Sequence, residues 1–262
     1  NLKTHYTYFG RTKLKVLLSN LKNQFLKWQR QKFIDKNLTK EYNLNKKFIY
    51  FPLSVDEERN ILLSSPLHTN QIEIIRSVAK SLPTGYTIFV KENPNQVIRY
   101  WRSKDEYNEI QAIPNVKLLH PSVSNEKLHE NCSLLISASG SAGFEVAFHG
   151  KSSIIFSDLG FSILSSVTLT KSTAELGFLI KNSLDKQNSP SELDRYFTLL
   201  EKESIDFDAS QIRMNDHNLF HYGGWMIDVE INSEKMKQFL DENKHLFTEL
   251  MKKLSQKILN LN

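Results

Sequence analysis

With 262 residues, 40% of them hydrophobic and 24% charged, the chain is long enough to bury a core and is neither disordered nor collagen-like in composition. A single cysteine, Cys132, excludes a disulfide framework and a multi-cysteine metal cluster, and no apolar run approaches the roughly 20 residues of a membrane span. The net charge of +5 is uneven: residues 1–47 hold twelve Lys and Arg against Asp35 and Glu41, and the rest holds 22 basic and 27 acidic residues.

That basic arm comes first in the chain. It suits an anionic surface such as phospholipid, nucleic acid or an acidic glycan, or else it is a solvated helix face. Within it Leu14, Leu18, Leu21, Phe25 and Trp28 recur at alternating four and three residues, which places them on one side of a helix. The stripe fits packing on its own domain, on a missing neighbour or on a membrane. Lysines interrupt the first apolar cluster, which argues against a secretory signal. Asn43 to Lys47 reads as a polar linker.

From residue 48 the pattern changes to short apolar strands alternating with helices. Strands are predicted at 48–53, 86–91, 116–119, 133–139, 152–156 and 167–170. Asn70 with Glu73 opens a helix that Pro83 follows, residues 97–110 form another, and Ser124 caps a short one through Glu130. Residues 141–149 are helical and closed by Gly150, and Ser172 with Glu175 caps a helix to Leu184. This alternation implies a doubly wound parallel α/β sheet, Rossmann-like, over 47–186. The arm occupies 1–46 and a helical region 187–262. In that last region Ser189-Pro190-Ser191-Glu192 starts a helix, residues 218–226 form an irregular aromatic loop, and Ser233 caps one long final helix.

Ligands of such sheets bind at the carboxyl ends of the strands. There the stretch SASGSAGFEVAFHGK (137–151) runs from a strand through a Ser/Gly turn into a helix. Ser137, Ser139, Ser141 and Gly143 bring small side chains, hydroxyls and free N–H groups to a helix N-terminus, which suits a phosphate. Glu145, one turn inside, is placed to accept hydrogen bonds from ribose hydroxyls. The alternative is a tight strand–helix turn with a dipole-stabilised Glu. The pattern is neither GxGxxG nor a P-loop. Lys91, in the KENP segment with Asn93, follows the second strand and can neutralise a phosphate or serve as a solvated loop lysine. Asp56, Glu57 and Glu58 follow the first strand and offer a general base or a solvated turn. His120 ends the third strand, in a binding or a structural role. His68, His129 and His149 read as packing or surface residues, Cys132 as buried, and no metal site or cofactor is expected.

Taken together these segments resemble the bacterial capsule polysaccharide biosynthesis family that includes the Kdo transferases. The matching pieces are YFPL with its acidic turn (50–58), SPLHTNQIEIIRSVAKSLPTGYTIFVKENP (65–94), PNVKLLHP (114–121) and SASGSAGFEVAFHGKSSIIF (137–156). The resemblance implies the donor-nucleotide half of a GT-B glycosyltransferase, using a nucleotide-sugar such as CMP-Kdo. The acceptor would be a lipid-linked or membrane-proximal glycan at the inner, cytoplasmic face of the cytoplasmic membrane. In the family the strand-end motif reads Lys-Glu-His-Pro, with Lys and His near the donor phosphate, and Asn93 stands here in place of that His. The family's acidic residue after the first strand corresponds to Glu58. The chain starts at Asn1 rather than Met, and only 47 residues precede the first strand. A fragment, a reduced member, or a partner of a missing acceptor domain or subunit is therefore expected. Two other readings remain: a teichoic-acid type polyol-phosphate transferase, and a sugar-nucleotide-binding or assembly subunit without catalysis. Nucleic acid is not an expected partner.

Overall fold

The computed structural model describes residues 13–56, 59–186, 188, 191–205, 207–221 and 231–259. Two units divide the chain, residues 23–197 and residues 1–22 with 198–262.

In the first unit six parallel strands form one sheet in the order β3-β2-β1-β4-β5-β6. They are β1 (Phe48–Pro52), β2 (Thr87–Lys91), β3 (Val116–Leu119), β4 (Leu134–Ser137), β5 (Ser153–Ile155) and β6 (Val167–Leu169). The helices of this unit are α1 (Lys13–Asn37), which enters from the other unit, α2 (Arg59–Ser64), α3 (Gln71–Lys80), α4 (Lys104–Gln111), α5 (Asn125–Asn131), α6 (Ala142–Glu145) and α7 (Leu176–Leu184).

The period-two alternation of a strand decides which residue meets which layer. Ile49 and Phe51 of β1 join Ile34 of α1, Ile74, Ile75 and Val78 of α3, Tyr107 and Ile110 of α4, and Leu176 and Ile180 of α7. Phe48 and Tyr50 join Phe89, Leu119, Leu128 of α5, Cys132, Leu135 and Val146 on the opposite face. The sheet is thus covered on both sides, which explains why its strands read as continuous apolar runs. Burial pushes the Cys132 thiol up to about 12.

Local capping fixes several helix starts. Asn70 Oδ1 accepts from the N–H groups of Ile72 and Glu73, and Ser124 Oγ accepts from Lys127 N. Gly150 ends the α6 region in the left-handed conformation, φ 68°. The expected helix over 97–110 is corrected to two pieces. Pro94–Arg99 is a 3₁₀ turn, Tyr100 and Trp101 take positive φ of 59° and 62°, and α4 begins afresh behind a Ser103–Glu106 capping box. Arg30 of α1 donates to the carbonyls of Tyr100 and Trp101 at 3.2 and 2.7 Å, so tertiary hydrogen bonds hold this reversal against helical periodicity.

The apolar stripe of α1 is exposed along its length, from 53% at Trp28 to 65% at Leu14. The helix is anchored farther along, by Ile34 and Leu38, both buried, and by Asp35, whose Oδ1 lies 3.0 Å from His120 Nε2. That contact holds the Asp35 carboxyl below its ordinary value.

α8 (Ser191–Glu203) continues into the second unit, which contains α9 (Ala209–His221), α10 (Ser233–Glu242) and α11 (Lys244–Leu259). Residues 218–221 are helical rather than loop, and residues 222–226 of that expected loop lie outside the described residues, as do Ser189 and Pro190. The expected single final helix is broken at Asn243, and Asn232 rather than Ser233 caps its start. Asn243 is fully buried; its Nδ2 donates to Phe239 O and its Oδ1 accepts from Asn215 Nδ2, both at 2.7 Å. Among the described residues no helix is long and apolar enough to cross a membrane.

Candidate functional site

The chain runs outward from β1 to β2 and β3, then returns to place β4 on the other side of β1. The loops after β1 and β4 therefore diverge, and a crevice opens between them at the carboxyl edge of the sheet. A cleft of about 530 Å³ lies there, lined by Pro52 to Ser54, Asn93, Asn125, Ser139 to Ala142, Glu145 and Phe161 among others.

Its floor is a buried polar network. Glu92 is fully buried, and its carboxylate accepts from Arg102 Nε at 3.0 Å, Tyr107 Oη at 2.9 Å and Asn93 N at 2.7 Å. Arg102 also pairs with Asp56 and donates from Nη2 to Ser54 O at 2.6 Å. Burial holds the Glu92 carboxyl above its ordinary value, against the opposing pull of Arg102. Burial works against the Arg102 charge too, yet Glu92 and Asp56 hold the guanidinium above its ordinary value. Gln71 grips Ser54 from both sides, Oε1 accepting from its N–H at 2.8 Å and Nε2 donating to its carbonyl at 3.0 Å. Asp56, one of the acids expected to offer a base, is thus tied to Arg102 and to Gln96 Nε2 at 3.1 Å and holds the loop in shape. Glu57 and Glu58 lie outside the described residues.

The Ser/Gly turn divides its residues between two tasks. Ser137 is fully buried and donates to Ser139 O at 2.7 Å, and Ser54 Oγ donates to the same carbonyl at 2.9 Å. Gly140 carries a φ of +107°, a conformation that side chains rarely adopt. Gly143 sits against β5, where an added Cβ would lie 2.6 Å from Ile155 Cγ2, and its carbonyl accepts from Ser153 Oγ at 2.7 Å. Ser137 and Gly143 therefore hold the turn from beneath. Ser139, Ser141 and Glu145 line the cleft with Asn93. Ser141 Oγ donates to Glu145 Oε1 at 2.5 Å, and Asn93 Oδ1 accepts from Asn95 N at 3.0 Å. Ser139 is only 6% exposed, and its hydroxyl has no protein partner.

Lys91 does not reach the cleft surface. It is 3% exposed, and its ammonium donates to Asn125 Oδ1, which also accepts from Tyr50 Oη at 3.2 Å. Burial brings Lys91 down to about 8, and it pushes the Tyr50 phenol up. His129 lies in the same layer, its Nδ1 3.8 Å from Glu145 Oε2 and its Nε2 buried without a partner. Burial lowers its pKa. His129, expected as a packing or surface residue, is buried, whereas Asn125, which lines the cleft, was missed in the sequence. The signal was its four-residue spacing from His129 behind the Ser124 cap, which puts both on one face of α5. His120 bonds Asp35 and Ser122, so it is structural. His217 and His221 make a His-x-x-x-His spacing on α9 with rings 5.6 Å apart, but no group of three metal-ligating side chains occurs among the described residues.

A family model for capsule polysaccharide biosynthesis proteins matches residues 2–194. A comparison with curated proteins finds no match. Among solved structures, a UDP-GlcNAc 2-epimerase from Methanocaldococcus jannaschii aligns at 13% identity and TM-score 0.41, covering 66% of this chain and 49% of its own. The β-Kdo 2,7 transferase KpsC of Thermosulfurimonas dismutans aligns at 16% identity and TM-score 0.41, covering 69% and 63%. The β-Kdo 2,4 transferase KpsC of the same organism aligns at 12% and 0.42, covering 64% and 53%. The chain spans about half the length of the solved structures it matches.

Proposed function

The chain belongs to the capsule polysaccharide biosynthesis family, and from that premise we propose that it forms the donor-nucleotide half of a glycosyltransferase of surface-glycan synthesis. The observation that carries this reading is the Ser139 hydroxyl, buried in a cleft at the strand ends without a protein partner. A buried hydroxyl left unsatisfied costs about 1–3 kcal/mol, and a ligand acceptor removes that cost. The donor we propose is a nucleotide-sugar, CMP-Kdo first. Its phosphate sits at the turn of Ser139 to Ser141, and its ribose hydroxyls donate to Glu145.

In the transfer, the bond from the anomeric carbon to the phosphate oxygen breaks and the CMP phosphate leaves. The acceptor hydroxyl oxygen bonds to that carbon, and its proton passes to a base, for which Glu58 is the proposed residue. Hydroxyl and N–H donors at the turn stabilise the departing charge. A lipid-linked or membrane-proximal glycan is the proposed acceptor, with the basic arm at an anionic cytoplasmic membrane face and the acceptor site supplied by another domain or subunit.

Asn93 favours a second reading. Its side chain is occupied in capping Asn95 N, which fits a sugar-nucleotide-binding subunit without turnover.

Calorimetry with CMP, CDP, UDP and GDP tests the cleft. CMP is expected to bind ahead of GDP, and Ser139→Ala to weaken CMP by about 10- to 150-fold, the range of a hydrogen bond to a charged group, without lowering thermal stability. Equal affinity for all four nucleotides, or none, refutes the reading. Release of CMP from CMP-Kdo in the presence of acceptor glycan separates the enzyme from the binding subunit.

A further inference from the structure

Two buried groups decide which way Asn125 faces. Asn125 opens α5, and its Oδ1 accepts from Tyr50 Oη and Lys91 Nζ. Tyr50 and Lys91 are 1% and 3% exposed, so both bonds reach the carboxamide from the protein side. An ammonium has three donors and no acceptor. The carboxamide atom that meets it must therefore be the oxygen, which settles an orientation that shape alone leaves open. The amide nitrogen is left for the cleft, which Asn125 lines, and among the described residues both side-chain hydrogen bonds of Asn125 end on its oxygen.

We infer that Asn125 Nδ2 is a preset donor to the phosphate of the bound nucleotide, and that Lys91 is a positioning residue that acts through Asn125 and not by touching the phosphate. This rests on the nucleotide reading above and makes its phosphate contacts specific. The arrangement also accounts for a lysine buried beside the cleft. Its charge lies one layer behind the wall, where it fixes the carboxamide and polarises its N–H groups toward an anion. A neutral donor backed by a buried cation favours an oxyanion over a neutral acceptor.

The decisive variant is Asn125→Asp. It has the same shape, keeps a partner for Lys91 and so keeps the fold, but it turns the outward N–H donor into an oxyanion. CMP affinity by calorimetry is expected to fall about 10- to 150-fold, the range of a charge-assisted hydrogen bond, while cytidine, which lacks the phosphate, binds as before. Lys91→Met is expected to weaken CMP without a matching loss for cytidine, and Lys91→Arg to restore part of the difference. In nuclear magnetic resonance the Asn125 side-chain amide signals, assigned by their disappearance in Asn125→Asp, are expected to move on saturation with CMP and not with cytidine.

Unchanged CMP binding by Asn125→Asp overturns the inference and leaves the nucleotide reading standing. Equal losses for CMP and cytidine place Asn125 at the base or ribose and also overturn it. A wild-type protein that binds neither compound removes the nucleotide reading and this inference together.

Discussion

Replacing Arg102 by Met tests whether the buried network builds the cleft. Arg102 is 6% exposed, and its guanidinium meets Glu92 at 3.0 Å, the Ser54 carbonyl at 2.6 Å, and Asp56. Met fills similar volume but leaves Glu92 fully buried with only Tyr107 and the Asn93 N–H as donors. Breaking one side of a buried pair costs about 3–5 kcal/mol, a large part of a typical total stability of about 5–15 kcal/mol. Burial already holds the Glu92 carboxyl above its ordinary value, and loss of the facing cation raises it further in the folded state only. A group whose folded-state pKa is raised contributes stability that is fully present below its unfolded-state pKa and is lost as pH rises through the folded one. The deficit of the variant is therefore greatest near pH 8 and shrinks toward pH 5, as Glu92 takes up a proton. Urea unfolding at both pH values measures this. The double variant Arg102→Met/Glu92→Met, which removes both charges, is expected to recover much of the loss. A cost below about 1 kcal/mol, or the same cost at both pH values, refutes the claim that Arg102 clamps the loops after β1 and β2.

Two further outcomes are expected. Gly143→Ala puts a methyl 2.6 Å from Ile155 Cγ2 and should destabilise by about 1–3 kcal/mol in calorimetric unfolding; unchanged stability would mean that the α6–β5 contact is loose. Basic residues near a bilayer contribute about 1 kcal/mol each, so the chain should sediment with phosphatidylglycerol liposomes at low salt and be released at about 0.5 M, where screening has shortened; Lys22→Glu with Lys27→Glu should weaken that binding, and no binding at low salt refutes the membrane role of the arm.

The sheet was legible because its strands are short, apolar and separated by caps that act locally. Asn70, Ser124 and Gly150 each do at their own positions what their side chains, or the lack of one, dictate. The expected helix over 97–110 failed for the opposite reason. Its break depends on Tyr100 and Trp101, neither of them Gly, adopting positive φ, while Arg30, about seventy residues earlier, bonds their carbonyls. No local propensity carries that information. In α1 the regular stripe is not packed on the chain's own described residues, and the burial comes instead from Ile34 and from Leu38 just beyond the helix; a missing neighbour or a membrane surface stays open as the stripe's contact.

The candidate site divides along the same line. A Ser/Gly turn at a strand's carboxyl end is a backbone feature, and the sequence places it without help. Which hydroxyl faces the cleft is a matter of direction, and residues two apart in the turn have separate fates. Ser137 spends its hydroxyl on the carbonyl of Ser139, while that of Ser139 stays unpaired in the cleft. Lys91 shows the limit most sharply. Its place at the carboxyl end of β2 points to a phosphate, yet a strand alternates its side chains between faces, and this last residue of β2 turns its ammonium beneath the cleft wall onto Asn125. The cation then acts at one remove, through a carboxamide whose orientation it dictates. Chemistry routed through a second residue leaves no spacing in the sequence, because the two partners are brought together by the fold and not by the chain.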